Sequence, residues 1–298
     1  METLKQCPVC RGESFEEYIR CKDNVASGEI FIICKCTVCS FLFTNPRPTE
    51  SECGTYYQST NYVSHADEKW SLVLFLYRTI RKINLRWKLG IINRLVPRKS
   101  QRNILDYGCG LGTFLNYSKQ NGWNTTGMDI SEDARNVVKQ RYAIDVFENA
   151  EIHKGEAGKY EIITLWHLLE HVYELNKTID SLKKSLTNLG YILFALPNSD
   201  SYDAKKYGSN WDAYDVPRHI YHYNPDTIQK LMNRHGFELA EMQPMKYDAY
   251  YVSIRSEWHS GNKILGIIKG VWGGFISNFK SAGNQNHSSM LYIFKKKL

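Results

Sequence analysis

The residue types best suited to chemistry stand together in Asn103-Ile-Leu-Asp-Tyr-Gly-Cys-Gly-Leu-Gly-Thr-Phe-Leu115. An acid, Asp106, ends a short apolar run. Gly108, Gly110 and Gly112 follow at alternate positions, with Cys109 as a compact side chain inside the loop. Glycine is needed where backbone takes φ > 0 or passes directly beneath a ligand. Thr113-Phe-Leu115 then reads as a first helical turn, so the unit is strand, glycine loop, helix. That is the opening of a doubly wound α/β domain with a nucleoside-like ligand lying over the loop. The spacing D-x-G-x-G-x-G differs from the G-x-G-x-x-G that sets a helix N-terminus against a pyrophosphate. A carboxylate just ahead of the glycines repels a pyrophosphate and suits a cationic amino-acid group. A second acid, Asp129, ends the strand-like run Trp123-Asn-Thr-Thr-Gly-Met-Asp-Ile130, where it suits hydrogen bonds to ribose hydroxyls.

A second constellation is made of thiols. Cys7-Pro-Val-Cys10 and Cys36-Thr-Val-Cys39 are two C-x-x-C knuckles separated by a segment of hairpin character. Tetrahedral Zn²⁺ takes four thiolates in this arrangement, two from each tight turn, and such a closed site is structural. Cys34 and Cys21 lie near enough to leave the pairing open. Cys36 is preferred because it alone makes a C-x-x-C with Cys39.

The elements that must position these groups follow from the rest of the chain. Residues 1–45 form the expected zinc ribbon, with strand-like runs at Phe31-Ile-Ile and Phe41-Leu-Phe-Thr and a breaker at Asn45-Pro-Arg-Pro. Residues 46–100 hold an aromatic linker, Tyr56 to Tyr62, and a helix over 70–96. In that helix Leu76, Ile80, Ile83, Trp87 and Ile91 recur at helical spacing, among Arg78, Arg81, Lys82, Arg86, Lys88 and Arg94. It reads foremost as a helix capping the core with a solvated basic face; the competing reading is peripheral contact with anionic lipid. From 101 to 298 strand and helix patterns alternate, as a parallel sheet requires. The expected strands are Ile104-Leu-Asp, Thr126 to Asp129, a short third at Ile144-Asp-Val, Tyr160 to Trp166, Gly190 to Leu196 and Met290 to Phe294. Ligands in such sheets bind beyond the carboxyl ends of the strands, which groups Asp106, Asp129, Trp166-His167 and Pro197-Asn198. Leu265, Ile268, Trp272, Phe275 and Phe279 form a further helical stripe, weakened by Gly266, Gly270, Gly273 and Gly274 at up to ~1 kcal/mol each.

The glycine pattern closely resembles motif I of the class I S-adenosylmethionine-dependent methyltransferases. That resemblance implies a doubly wound, seven-stranded Rossmann-like sheet with S-adenosyl-L-methionine as cofactor. It places the methionine end of the cofactor at Asp106, its body over Gly108, Cys109, Gly110 and Gly112, the ribose diol at Asp129, and Ile130 and Trp166 beside it. Leu165-Trp-His-Leu-Leu-Glu-His-Val172 and Asp215-Val-Pro-Arg-His-Ile-Tyr-His-Tyr-Asn-Pro225 resemble segments of the small-molecule subgroup. The knuckles followed by Phe43-Thr-Asn-Pro-Arg-Pro and Tyr56-Tyr resemble the N-terminal region of zinc-containing bacterial members, of which sugar C-methyltransferases are the best-known relatives. Those enzymes carry a long third domain; this chain ends after the methyltransferase domain, which argues against a sugar nucleotide acceptor. No Asn/Asp-Pro-Pro-aromatic turn of nucleobase methyltransferases follows the fourth strand.

The expected function is therefore methyl transfer to a small-molecule acceptor, a sugar or lipid-linked intermediate, at oxygen or carbon. A hydroxyl acceptor benefits from a general base and a carbanion needs one. His219, in the insertion after the fifth strand, is the first candidate, ahead of His171 and His167, because imidazole titrates near neutrality. Arg218 is a candidate for an anionic acceptor or for a pair with Asp215. Trp211 and Tyr214 are candidate pocket walls or, equally, aromatic core residues. The alternative is a ribbon that binds nucleic acid or protein beside an RNA-modifying or scaffold domain. The balanced charge of the ribbon (Glu13, Glu16, Glu17, Asp23 and Glu29 against Arg11, Arg20 and Lys22) argues against nucleic acid, although the net charge of +7 permits it. The N-terminus lacks a signal-peptide apolar region, so a reducing, cytoplasmic setting is expected.

Overall fold

A computed structural model describes residues 1–57, 72–97, 101–149, 152, 157–259, 263–283 and 286–297, the side chains of 72–79 and 263 excepted. The linker residues 58–62, the start of the 70–96 helix and the side chains of Leu76 and Arg78 lie outside that set. In chain order the N-terminal third holds β1 (Phe15–Lys22), β2 (Ile30–Cys36), β3 (Leu42–Thr44), α1 (Glu50–Cys53) and α2 (Leu72–Leu95). Next come β4 (Asn103–Tyr107), α3 (Thr113–Gln120), β5 (Asn124–Met128), α4 (Glu132–Tyr142), β6 (Val146–Phe147), β7 (Tyr160–Trp166), α5 (Leu175–Ser185) and β8 (Leu186–Pro197). The chain closes with α6 (Tyr202–Tyr207), β9 (Tyr221–His222), α7 (Pro225–Arg234), β10 (Phe237–Pro244), α8 (Asp248–Trp258), α9 (Lys263–Ser281) and β11 (Ser289–Lys296).

The larger sheet has seven strands in the order β10-β11-β8-β7-β4-β5-β6. β4 pairs in parallel with β5 on one side and with β7 on the other. The order therefore reverses at β4, and Asp106 lies at the carboxyl end of that strand, where open α/β sheets bind ligands. β4 is apolar because both its faces are covered: Ile104 and Leu105 are fully buried. The third strand falls later than Ile144-Asp-Val, at Val146–Phe147. Ala143 caps α4 in the left-handed region at φ 49°, and the chain needs the next residues to reach the sheet edge. α9 forms despite its glycines, which lie where it approaches α8.

Two compact units divide the chain. Among the described residues one takes 72–166, 177–193 and 295–297. It contains the glycine loop and the described part of α2. The helix turns its C-terminal half inward: Ile91 and Ile92 are buried, the Lys88 ammonium lies 3.8 Å from the Trp166 ring centroid, and Arg81 bonds the Thr113 hydroxyl. The other unit takes 1–57, 167–176 and 194–294. Its second sheet has the order β1-β2-β3-β9. β1 and β2 form the expected hairpin, and β9 extends it, with Leu42 opposite His222 and Phe43 opposite Tyr221. The ribbon core includes Cys21, Phe31, Ile33 and Leu42 packed with Trp211, Tyr214 and Val216.

Candidate functional site

The glycine loop owes its shape to the end of β5 and to Asp129. Gly108, Gly110 and Gly112 have φ of 80°, 52° and 67°. The amides of Gly108 and Cys109 donate to the Met128 carbonyl at 2.7 and 2.9 Å, which ties the loop to the end of β5. Asp129 continues the tie: its Oδ2 accepts from the Gly110 amide at 2.7 Å and its Oδ1 from the Ser131 amide at 2.9 Å. The glycines have different duties. A Cβ at Gly112 would lie 2.7 Å from a Val138 methyl, so that glycine lets α3 and α4 pack. A Cβ at Gly110 would meet nothing within 4 Å, so the space over the loop is open. Asp106 is buried and accepts from the Thr164 hydroxyl at 2.7 Å. Burial pushes its carboxyl up to about 6, against the pull of the Thr164 bond and the Lys88 charge, while Asp129 adds to the rise. A buried carboxylate with that shift is poised for a cation. Trp166 meets Phe114 edge-on at 5.3 Å and its buried indole Nε1 has no hydrogen-bond partner among the described residues. Ile130, beside Asp129, is 69% exposed, an apolar side chain that the core does not use.

The histidine cluster is built in the other unit. His171 Nδ1 lies 2.9 Å from the Arg218 carbonyl, and His219 Nδ1 lies 2.8 Å from the Ala213 carbonyl. A carbonyl can only accept, so each Nδ1 carries a proton. The rings meet edge to face with centroids 4.6 Å apart. Burial, and after it the neighbouring His219, push the His171 imidazole down to about 3, which keeps it neutral. Tyr57 supplies its hydroxyl at 2.9 Å from His171 Nδ1. Glu170 is fully buried, and neither of its carboxylate oxygens has a hydrogen-bond partner among the described residues. Burial raises its pKa, offset by the charges of His219 and His167. Glu170, His171 and His219 present ligand atoms within 4.8 Å of one another, a set able to hold a proton or a cation. His167 takes the left-handed region at φ 52°, unusual for a residue with a side chain, and sits 3.3 Å from Asp248 Oδ2 and 3.8 Å from Glu170 Oε1.

Arg218 is buried beside this cluster, with most of its donors engaged by the protein itself. Its Nε and Nη2 donate to Asp215, its Nη1 to the Tyr56 carbonyl at 3.1 Å, and its Nη2 also to Asp23 Oδ1 at 3.1 Å. Asp23 belongs to the ribbon hairpin, where it also caps the amides of Val25, Ala26 and Ser27. Of the two sequence readings of Arg218, the structure shows the pair with Asp215. Trp211 and Tyr214 are likewise core residues, both buried and packed edge-on at 4.9 Å, with the Trp211 indole donating to Asp203 at 2.9 Å. β9 follows His219 directly, and the Thr44 hydroxyl donates to the His219 carbonyl at 3.0 Å.

The four knuckle thiols converge. Cys7 and Cys39 sulfurs are 3.5 Å apart, as are those of Cys10 and Cys36, and all four cysteines are free of disulfides. Zn–S bonds of about 2.3 Å in a tetrahedron set sulfurs about 3.8 Å apart, close to this spacing. The two turns share one conformation: Arg11 and Ser40, each following its second cysteine, have φ of 63° and 65°. Cys34 stands outside the set and donates to the Asn45 carbonyl at 3.4 Å. Cys21 is buried in the hydrophobic cluster of the ribbon.

The profile of the methyltransferase-domain family matches residues 79–242, over half of the chain, including the glycine loop, Asp129 and both histidine segments. The chain belongs to this family. It is an S-adenosylmethionine-dependent methyltransferase of class I, acting on a small-molecule acceptor. Among curated proteins it is similar to the ubiquinone biosynthesis O-methyltransferase of Bordetella avium, 26% identical over 57% of this chain and 74% of that one. The corresponding protein of Aromatoleum aromaticum is 25% identical over 62% of this chain and 84% of its own length. Among solved structures, a putative sarcosine dimethylglycine methyltransferase from Galdieria sulphuraria superposes with a TM-score of 0.52, covering 83% of this chain and 99% of that one at 13% identity. Magnesium protoporphyrin IX methyltransferase from Synechocystis gives 0.51, covering 81% and 97% at 15% identity. These two likenesses bear on the fold.

In this methyltransferase the structure gathers the predicted cofactor residues Asp106, Gly108, Cys109, Gly110, Gly112, Asp129, Ile130 and Trp166 around one strand-end loop system. It gathers the predicted bases His167, His171 and His219 around Glu170. The sequence reading missed Glu170, Asp23 and Tyr57. Glu170 sits inside a quoted motif, and an acid between two histidines was the available signal. Asp23 and Tyr57 carry no local signal, since their partners Arg218 and His171 are far along the chain.

Proposed function

We propose that this methyltransferase O-methylates a hydroxyl group of a small acceptor in the sugar or lipid-linked class, with His219 as the general base. The observation that carries the proposal is the pair of imidazoles whose Nδ1 atoms are fixed on carbonyls beside a buried Glu170 whose carboxylate accepts no hydrogen bond from the described residues. S-adenosylmethionine, when bound, supplies a sulfonium methyl group and its own leaving group. Asp106 holds the amino end, Asp129 the ribose diol, and Ile130 and Trp166 flank the bound nucleoside. His219 Nε2 takes the hydroxyl proton as the oxygen–methyl bond forms. The imidazolium so formed is stabilised by Glu170 and by Asp215, whose Oδ2 lies 4.0 Å from that nitrogen. His171, neutral and edge-on, fixes the orientation of the His219 ring. O-methylation is favoured over C-methylation because the named activity of the curated relatives is an O-methyl transfer.

We further propose that Cys7, Cys10, Cys36 and Cys39 hold one structural Zn²⁺, and that the free thiols reflect a reducing, cytoplasmic setting. The ribbon then serves as scaffold for the 215–223 segment through β9, Thr44 and Asp23, in place of a nucleic-acid module. The test is methyl transfer from S-adenosylmethionine labelled at its methyl carbon to a panel of phenols, catechols, deoxysugars and lipid extracts. Wild-type protein is expected to label a hydroxyl-bearing product at oxygen. His219→Ala is expected to lose at least ~100-fold in rate, the usual range for a general base, while still binding cofactor. An unchanged rate in His219→Ala would remove the proposed base.

A further inference from the structure

The helix α9 wears its pattern inside out. Its buried face is made of Gly266, Gly270, Gly273 and Gly274. A Cβ on Gly274 would lie 2.7 Å from the Tyr250 Cα, and one on Gly270 would collide with the Ile254 backbone, so α8 and α9 pack backbone against backbone. Ile267, Ile268, Val271, Trp272, Phe275 and Phe279 are all exposed, Ile268, Trp272 and Phe279 by 67%, 64% and 72%. A helix that served the core alone would carry the opposite pattern, with large apolar residues inward. Nor can this helix roll to hide them. Ser277, on its buried face, donates to the buried Asp203 carboxylate at 2.9 Å, and Trp211 and Ser288 hold the same carboxylate at 2.9 and 2.6 Å. Contiguous apolar surface on this scale marks an interaction or membrane surface.

The charges on the helix choose between occupants. Residues 263–281 contain Lys263, Lys269 and Lys280 and no acid, and Lys269 and Lys280 are exposed. A second copy of the same face would bring lysine toward lysine. An anionic lipid surface meets both the apolar side chains and the lysines. Trp272 stacks on Phe275 with centroids 5.5 Å apart, the aromatic type that favours headgroup depth. With 19 residues the helix is about 28 Å long. No helix among the described residues is long and apolar enough to cross a membrane, so the contact is parallel to the surface. We propose that α9 is an interfacial helix that seats this protein on an anionic phospholipid bilayer. The proposal rests on exposure and charge, independently of the acceptor chosen above.

Flotation of the full chain with vesicles tests it. With equal parts phosphatidylglycerol and phosphatidylcholine the wild-type protein is expected to float, and with phosphatidylcholine alone to float far less. W272E/F275E is expected to lower binding to the mixed vesicles about tenfold or more, by placing charge in the apolar face. K269Q/K280Q is expected to lower it about 30-fold, the effect of two basic residues near a charged surface. Both variants should bind S-adenosylmethionine as wild type does, which reports that they are folded. The proposal is overturned if folded wild-type protein stays behind when anionic vesicles float. It is also overturned if W272E/F275E floats undiminished. A dimer in light scattering that W272E/F275E converts to monomer would assign the face to a second copy instead.

Discussion

The glycine loop and the histidine cluster solve the same problem, holding polar groups in a fixed arrangement, by opposite means. The loop is sequence-local. Asp106 to Gly112 are neighbours along the chain, and the tie from Asp129 to Gly110 spans one strand–helix–strand turn. The histidine cluster is assembled from segments far apart: Tyr57 reaches His171, and Asp23 reaches Arg218 across 195 positions. A cofactor of fixed chemistry can be met by a fixed motif at a strand end. In the proposed reading the acceptor is met by the insertion after β8, and that insertion is braced by β3 of the cysteine ribbon.

The largest expected effect breaks the brace. Cys36→Ser should lower zinc from one equivalent per chain to near none by elemental analysis. Apparent binding energies for structural zinc are on the order of 10 kcal/mol, so the ribbon should unfold. Hydrogen exchange should rise across 219–223 in particular, because β3 is the partner of β9. Next in size is Asp23→Ala, which removes one of the two carboxylates paired with the buried Arg218 and should cost about 3 kcal/mol in denaturant unfolding. Asp129→Ala acts on the other region. It removes the acceptor of the Gly110 and Ser131 amides and the proposed ribose contact, and should weaken S-adenosylhomocysteine binding about 100-fold with zinc content unchanged.

The smallest effect is a pH dependence. The folded pKa of Asp106 is raised to about 6 from an ordinary value of 3.8. Ionised Asp106 is the form that suits a cationic cofactor, so affinity should fall about tenfold per pH unit below about 6, and Asp106→Asn should abolish that dependence. The stability sign runs the other way. The folded protein holds this proton more tightly than the unfolded chain, so the apo protein loses stability as pH rises from about 4 to about 6 and the loss is complete above that window. Asp106→Asn should then raise the apo melting temperature at pH 8.

The same contrast explains what could be read from the sequence. The strands at Ile104, Tyr160 and Met290 were legible because apolar runs buried on both sides leave a continuous signal. The convergence of the cysteine knuckles and the strand-end position of both acids were legible because spacing along the chain encodes where they fall. For Arg218, Trp211 and Tyr214 the sequence left two readings each, since a motif in an insertion shows residue types and hides their neighbours. Arg218 proved a buried strut and the two aromatics proved core. The α9 stripe was visible as a helical period, but the side it faced was not. The period is the same whether glycines or large residues turn inward, and the close approach of α8 decides it.

Calorimetric titration with S-adenosylmethionine of wild-type protein, Asp129→Ala and His219→Ala tests the division of labour most directly. Wild type and His219→Ala should bind with affinities within about twofold of each other, and Asp129→Ala should lose about 100-fold. Loss of cofactor affinity in His219→Ala as large as in Asp129→Ala, with both proteins folded and carrying zinc, would contradict the account.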